Sequence, residues 1–171
     1  MNNFWVKYSI NFIFIILVQG LIINQLQMSG YVYPMVYIIA ILMLPFETNL
    51  FVSIVLSLVL GICVDALSDT FGLHTSASLL IGYTRPYLLR LLKPRDGYDN
   101  SLTPSIHDMG KTWFLMSTSI MLFIHHLWFF TFEILRFDLI DLILIKTILS
   151  VSVSLFIIVL LQYLIYKPSK Q

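Results

Sequence analysis

Charge is what this sequence has least of. Only 11% of its 171 residues are Asp, Glu, Lys or Arg, whereas a soluble domain carries about 25% to cover its wet surface. That scarcity excludes a water-soluble globule, and the apolar content excludes a disordered chain. The signs nearly balance, 10 basic against 9 acidic for a net +1, so nothing points to a nucleic-acid partner. Cysteine occurs once, at Cys63, which rules out an internal disulfide framework and any multi-cysteine metal site. Also missing are a Gly-x-Ser-x-Gly elbow, a glycine-rich phosphate loop and a His-Glu-x-x-His pair. What is present is apolar: 58% hydrophobic residues and a mean hydropathy of +0.89. These values define an integral membrane protein.

Charge spacing gives the number of crossings. Residues 8–46, 48–64, 70–84, 112–132 and 147–166 hold no charge, and a helix needs ~20 mostly apolar residues to span the hydrocarbon. The first run is too long for one pass and is split by the polar break from Asn24 to Gly30. The expectation is an all-α single membrane domain of about six helices, near 5–25, 32–46, 47–67, 71–92, 112–135 and 139–166. The second, bracketed by Pro34 and Pro45, reads as short, an incomplete or tilted crossing. The sixth is long enough to tilt or protrude. Period-two alternation with turn signals is lacking, which argues against a transmembrane β-barrel.

Lys and Arg are retained on the cytoplasmic side. With six crossings, Lys7, Arg85, Arg90, Lys93, Arg95, Lys111, Lys167 and Lys170 share one side, and Arg136 and Lys146 lie on the other. Both termini and the loop 93–111 are therefore expected in the cytoplasm. That stretch, rich in Pro, Asp, Gly, Asn and Ser, reads as a loop rather than a domain. The N-terminal run has no small-x-small cleavage site and reads as an anchor.

Polar residues at membrane depth are costly and so point to function or to buried partners. Asp65 and Asp69 share a face at the end of the third helix, where the helix dipole and their mutual repulsion oppose them. Asp69, or alternatively Thr70, is expected to cap the fourth helix, and Asp65 to take a buried pairing role. Lys146, two turns into the last helix, calls for an acidic partner; Asp65 and Glu133 are the carboxylates at comparable depth. The other course for Lys146 is to snorkel outward along Arg136 and Asp141. Arg90 and Lys93 read as snorkelling residues. Arg85 reads either that way or as a positioned arginine, with Pro86 opening or kinking the helix beside it. His125 and His126 diverge by 100°. His126 and Glu133 share a face but lie ~10 Å apart along the axis, too far for one zinc ion. Neutral, interhelically hydrogen-bonded histidines are the expectation, with no metal and no cofactor. Ser53, Ser57, Ser150, Ser152 and Ser154 fall at spacings of close helix packing. Tyr31, Tyr33 and Tyr37 are expected at the outer interface, where tyrosine rings are favoured.

One ordered set of residues covers nearly the whole chain. It runs Asn24-Gln25, Gly30-Tyr31 with Pro34, Leu44-Pro45, Gly61-x-x-x-Asp65 and Gly72-x-His74. It continues with Tyr83-x-Arg85-Pro86, Pro94-Arg95-Asp96-Gly97-Tyr98 and the His125-His126…Glu133 helix. In this the chain resembles the rod shape-determining protein MreD family. The resemblance implies a non-catalytic, multi-pass component of the bacterial inner membrane. Its partners would be the periplasmic scaffold MreC and, indirectly, MreB and the enzymes of lateral-wall peptidoglycan synthesis. It also implies a fold similar to the substrate-binding subunits of energy-coupling-factor transporters. That likeness supplies the alternative, a subunit capturing a vitamin or another small molecule, which would need a polar pocket opening outward.

Overall fold

The computed structural model describes residues 2–26, 30–99 and 101–165; for residues 2–7 and 26 it describes the backbone alone. The chain folds into α1 (Asn2–Leu21), α2 (Ile39–Leu42), α3 (Leu50–Ser68), α4 (Leu73–Leu91), α5 (Ile106–Met109), α6 (Lys111–Ile134) and α7 (Ile140–Ile165), with 3-10 turns at Ile23–Leu26 and Phe137–Leu139. No β-strand occurs among the described residues. Four stretches, Tyr8–Gln25, Leu50–Ser68, Lys111–Ile134 and Phe137–Ile165, are long and apolar enough to cross a membrane. The fold is that of an all-α membrane protein. Lys167, Lys170 and residues 27–29 of the polar break lie outside the described residues, as does the side chain of Lys7.

The tightest contact in the bundle is between α3 and α4, and small residues allow it. A Cβ on Gly61 would lie 2.4 Å from the Thr75 Cα, and one on Gly82 would lie 2.3 Å from the Ser57 Oγ. Ser53 and Ser57 thus do what their spacing suggests, and Ser53 does more. Pro86 sits inside α4, which runs on to Leu91. Lacking an N–H, Pro86 leaves the carbonyl four residues back without its helical partner. That carbonyl is Gly82, and the Ser53 hydroxyl donates to it at 2.9 Å. From this hairpin the helices continue in a row: α4 packs on α6, α6 on α7, and α1 on the outer flank of α3.

The expected helix over 32–46 is the main departure. Only one turn of it, α2, is helical. Pro34 cannot donate a backbone hydrogen bond and drives its predecessor into an extended conformation, and Pro45 blocks continuation at the other end. Yet every residue from Met35 to Leu44 is buried. A largely unwound segment therefore runs through the middle of the bundle, where backbone groups cannot turn to water. Such backbone is tolerated at membrane depth only when protein groups satisfy it. The loop 93–111 likewise holds one unexpected turn, α5, capped by the Ser105 hydroxyl, which accepts from the Asp108 amide at 3.2 Å.

Candidate functional site

The polar residues of the interior converge on the buried segment. Gln19 of α1, 1% exposed, accepts through Oε1 from the amides of Val36 at 2.8 Å and Tyr37 at 3.3 Å, and its Nε2 donates to the Pro34 carbonyl at 3.1 Å. Along α7, Ser150 accepts from the Tyr33 amide at 3.0 Å and Ser154 from the Met35 amide at 2.9 Å. One face of α7 thus tracks the segment. Ser150 and Ser154, expected to be packing residues, serve as hydrogen-bond partners for a backbone that has no helix of its own. Ser152 stays exposed and bonds back to the Ile148 carbonyl at 2.8 Å. Lower down, the Tyr8 hydroxyl donates to the Ala40 carbonyl at 2.7 Å.

Tyr37 is not at an interface but fully buried, which corrects the expectation for it. Its hydroxyl lies 3.0 Å from His74 Nδ1 on α4 and 2.6 Å from His125 Nε2 on α6. The phenol joins the two helices through the central segment. The adjacent histidines diverge as their spacing requires: His126 turns to the Leu122 carbonyl at 2.8 Å and to Ser154 of α7 at 3.3 Å. Tyr31 is 48% exposed, and Tyr33 is half-buried with its ring edge against Phe130.

Arg85 is fully buried, not snorkelling. Its Nη2 donates to the carbonyls of Leu42 (3.3 Å), Leu44 and Pro45 (3.2 Å). The Leu42 carbonyl ends α2 and has no helical partner there, Leu44 and Pro45 follow just beyond it, and a cation at a helix C-terminus also meets the negative end of its dipole. The segment is therefore pinned by Arg85 at one end and by Gln19, Ser150 and Ser154 at the other. Beyond Arg85, Phe46 stacks on Tyr98 with centroids 4.2 Å apart, and Trp113 donates to the Leu92 carbonyl at 3.1 Å. In the same loop the amide and hydroxyl of Ser101 donate to the Asp99 carboxylate, which holds it below the usual carboxylate range.

The carboxylates divide their roles differently from expectation. Asp65, 7% exposed, accepts four hydrogen bonds: from Thr70 Oγ1 at 2.5 Å, the His74 amide at 3.0 Å, the Thr75 amide at 2.9 Å and Thr75 Oγ1 at 2.5 Å. It caps the N-terminus of α4 from the preceding helix, the task expected of Asp69. Asp69 instead adopts the left-handed conformation (φ +53°) that ends α3, and Gly72 (φ +84°) precedes α4 with no side chain to offer. Lys146, 8% exposed, pairs with Glu133 at 2.8 Å and not with Asp65, and its ammonium lies 4.7 Å from the centre of the Tyr33 ring. No group of three His, Cys, Asp or Glu side chains among the described residues is placed to hold a metal.

Between Tyr33–Met35 and the ends of α3, α4 and α6 lies a cavity of about 120 Å³, with Asn24, Ser68, Thr70, His74 and Glu133 on its walls. Sequence reasoning gave no sign of it, nor of Gln19. The one available signal for Gln19 is that it is a glutamine inside an otherwise apolar crossing, where an unsatisfied amide is costly. Comparison with protein-family models, with curated proteins and with solved structures finds no match.

Proposed function

We propose that this chain is a non-catalytic membrane component of the bacterial elongation complex, which maintains rod shape and organises lateral-wall peptidoglycan synthesis. In this reading it spans the inner membrane six times with both termini cytoplasmic, the 31–46 segment being the unwound second crossing. It acts as the membrane partner of an MreC-like periplasmic scaffold, and through it on MreB and the wall-synthesis enzymes. The observation that carries the reading is how the interior polar groups are used. Gln19, Asp65, Arg85, Ser150 and Ser154 are committed to backbone groups, which builds a rigid frame rather than a reaction centre. A catalytic site would need an acid, a base and a nucleophile facing shared open space.

The alternative, a vitamin-binding transporter subunit, gains the polar cavity but meets its size. About 120 Å³ is well below the ~300–1,000 Å³ that encloses a drug-sized ligand. The deciding experiment is co-purification from a rod-shaped host with its one-span, coiled-coil periplasmic protein. Substitutions that abolish rod shape should abolish that complex. A tightly bound vitamin in the purified protein, with no such partner, overturns the reading in favour of the transporter subunit.

A further inference from the structure

The cavity beside Tyr33 has walls whose hydrogen-bonding capacity is only partly used. Ser68 accepts from Asn24 Nδ2 at 2.8 Å, which leaves the serine O–H and the second amide N–H to donate. Thr70 donates to Asp65 at 2.5 Å and keeps its lone pairs as acceptors. Glu133 uses Oε2 on Lys146 and keeps Oε1. His74 is held through Nδ1 by Tyr37, which leaves Nε2, and the Tyr33 hydroxyl makes no hydrogen bond among the described residues. Donors and acceptors with capacity to spare thus belong to several residues that line one small space. The Lys146–Glu133 pair, 2.8 Å apart, leaves no net charge at that wall, so neither a free anion nor a free cation is the natural occupant. The groups that both donate and accept at each atom are hydroxyls. Phe129, whose ring centre is 4.6 Å from that of His74, adds an apolar wall against which the C–H face of a polyol can lie. At ~30 Å³ per water, a volume of about 120 Å³ has room for about four waters, or for one fragment of a few heavy atoms. Thr70 and Glu133 are part exposed, which gives the cavity a mouth.

We propose that this cavity is a binding site for a small vicinal diol or triol, such as a glycerol unit, delivered either by a lipid headgroup or as a free solute. The site is independent of the scaffold reading and holds or fails on its own. Two arms of one experiment separate the sources. In the first, the full chain is placed in nanodiscs containing equal phosphatidylglycerol and phosphatidylethanol, lipids of the same charge that differ in the headgroup diol. Lipid retained on release is read by native mass spectrometry. In the second, detergent-solubilised protein is exposed to free glycerol and read by saturation-transfer NMR. The variants are Tyr33→Phe, which removes one oxygen and keeps the ring, and Tyr33→Phe with Ser68→Ala.

A headgroup ligand gives roughly tenfold retention of phosphatidylglycerol over phosphatidylethanol, the ratio that two hydroxyl contacts supply, and both variants reduce it. A free ligand gives saturation transfer that both variants reduce, with no lipid preference. The proposal is overturned if neither arm shows a signal, in which case the cavity holds water alone. It is equally overturned if the signals persist unchanged in Tyr33→Phe and in the double variant, which puts binding elsewhere.

Discussion

Two ionic residues in this fold, Asp65 and Lys146, are both buried and opposite in sign, yet they are not partners. Asp65 is occupied by the backbone and hydroxyls at the start of α4, whereas Lys146 is held by Glu133. A double-mutant cycle on thermal stability in detergent should therefore find coupling between Lys146 and Glu133, and additivity between Lys146 and Asp65. The Lys146→Ala cost falls between the ~0–1 kcal/mol of a surface pair and the ~3–5 kcal/mol of a fully buried one, because the Glu133 side chain is 29% exposed. Asp65→Ala strands the amides of His74 and Thr75 and should cost about 1–3 kcal/mol. Asp65→Asn, which keeps an acceptor, should cost less. Equal losses from the two Asp65 variants would mean that capping is not what the side chain contributes. The capping error in the sequence reading has a physical source. Local rules look for the cap beside the helix it serves, but here the left-handed turn at Asp69 folds the chain back so that a residue nine positions earlier reaches the His74 amide.

At the level of elements, the charge-free runs made α1, α3, α4, α6 and α7 legible, because lipid imposes that pattern directly on composition. Pro34 and Pro45 likewise announced that something between them was short. What could not be read was the path of the 31–46 segment, since the partners of its backbone lie far off in sequence, from Gln19 and Arg85 to Ser150, which is 117 positions from Tyr33. Two substitutions test that account by the same stability measurement. Ser154→Ala leaves the Met35 amide without a partner and should lose about 1–3 kcal/mol. Ser152→Ala, on the exposed face of the same helix, should be near neutral. If the two behave alike, α7 does not carry the segment. The α3–α4 hairpin offers a second check. Gly61→Ala would put a methyl 2.4 Å from the Thr75 Cα, and the enforced separation should cost about 1–3 kcal/mol.

For the molecule as a whole, the helices alternate in direction so that Asp65, Glu133 and Lys146 gather at one end and Arg85, Tyr98 and Trp113 at the other. The distribution of Lys and Arg assigns the second end to the cytoplasm in the proposed topology. A cysteine introduced as Ser101→Cys, with Cys63→Ala, should resist an impermeant thiol reagent in intact spheroplasts and react once the membrane is opened. Labelling from outside would overturn the six-crossing arrangement. Ser169, an equivalent reporter for the C-terminal side, lies outside the described residues.

The unwound segment also constrains how the protein is made. A helix emerging from the ribosome can enter lipid alone, since its backbone bonds are internal. The stretch around Tyr33 and Met35 cannot, because the hydroxyls that satisfy it belong to Ser150 and Ser154. In the proposed topology it is expected to wait in the insertion machinery, or at the membrane surface, until nearly the last helix has been synthesised. Nascent chains arrested before Ser150 should therefore leave residues 31–38 open to protease, and chains extended past Ser154 should protect them. The last helix thus acts on the buried segment as a chaperone encoded in the same chain.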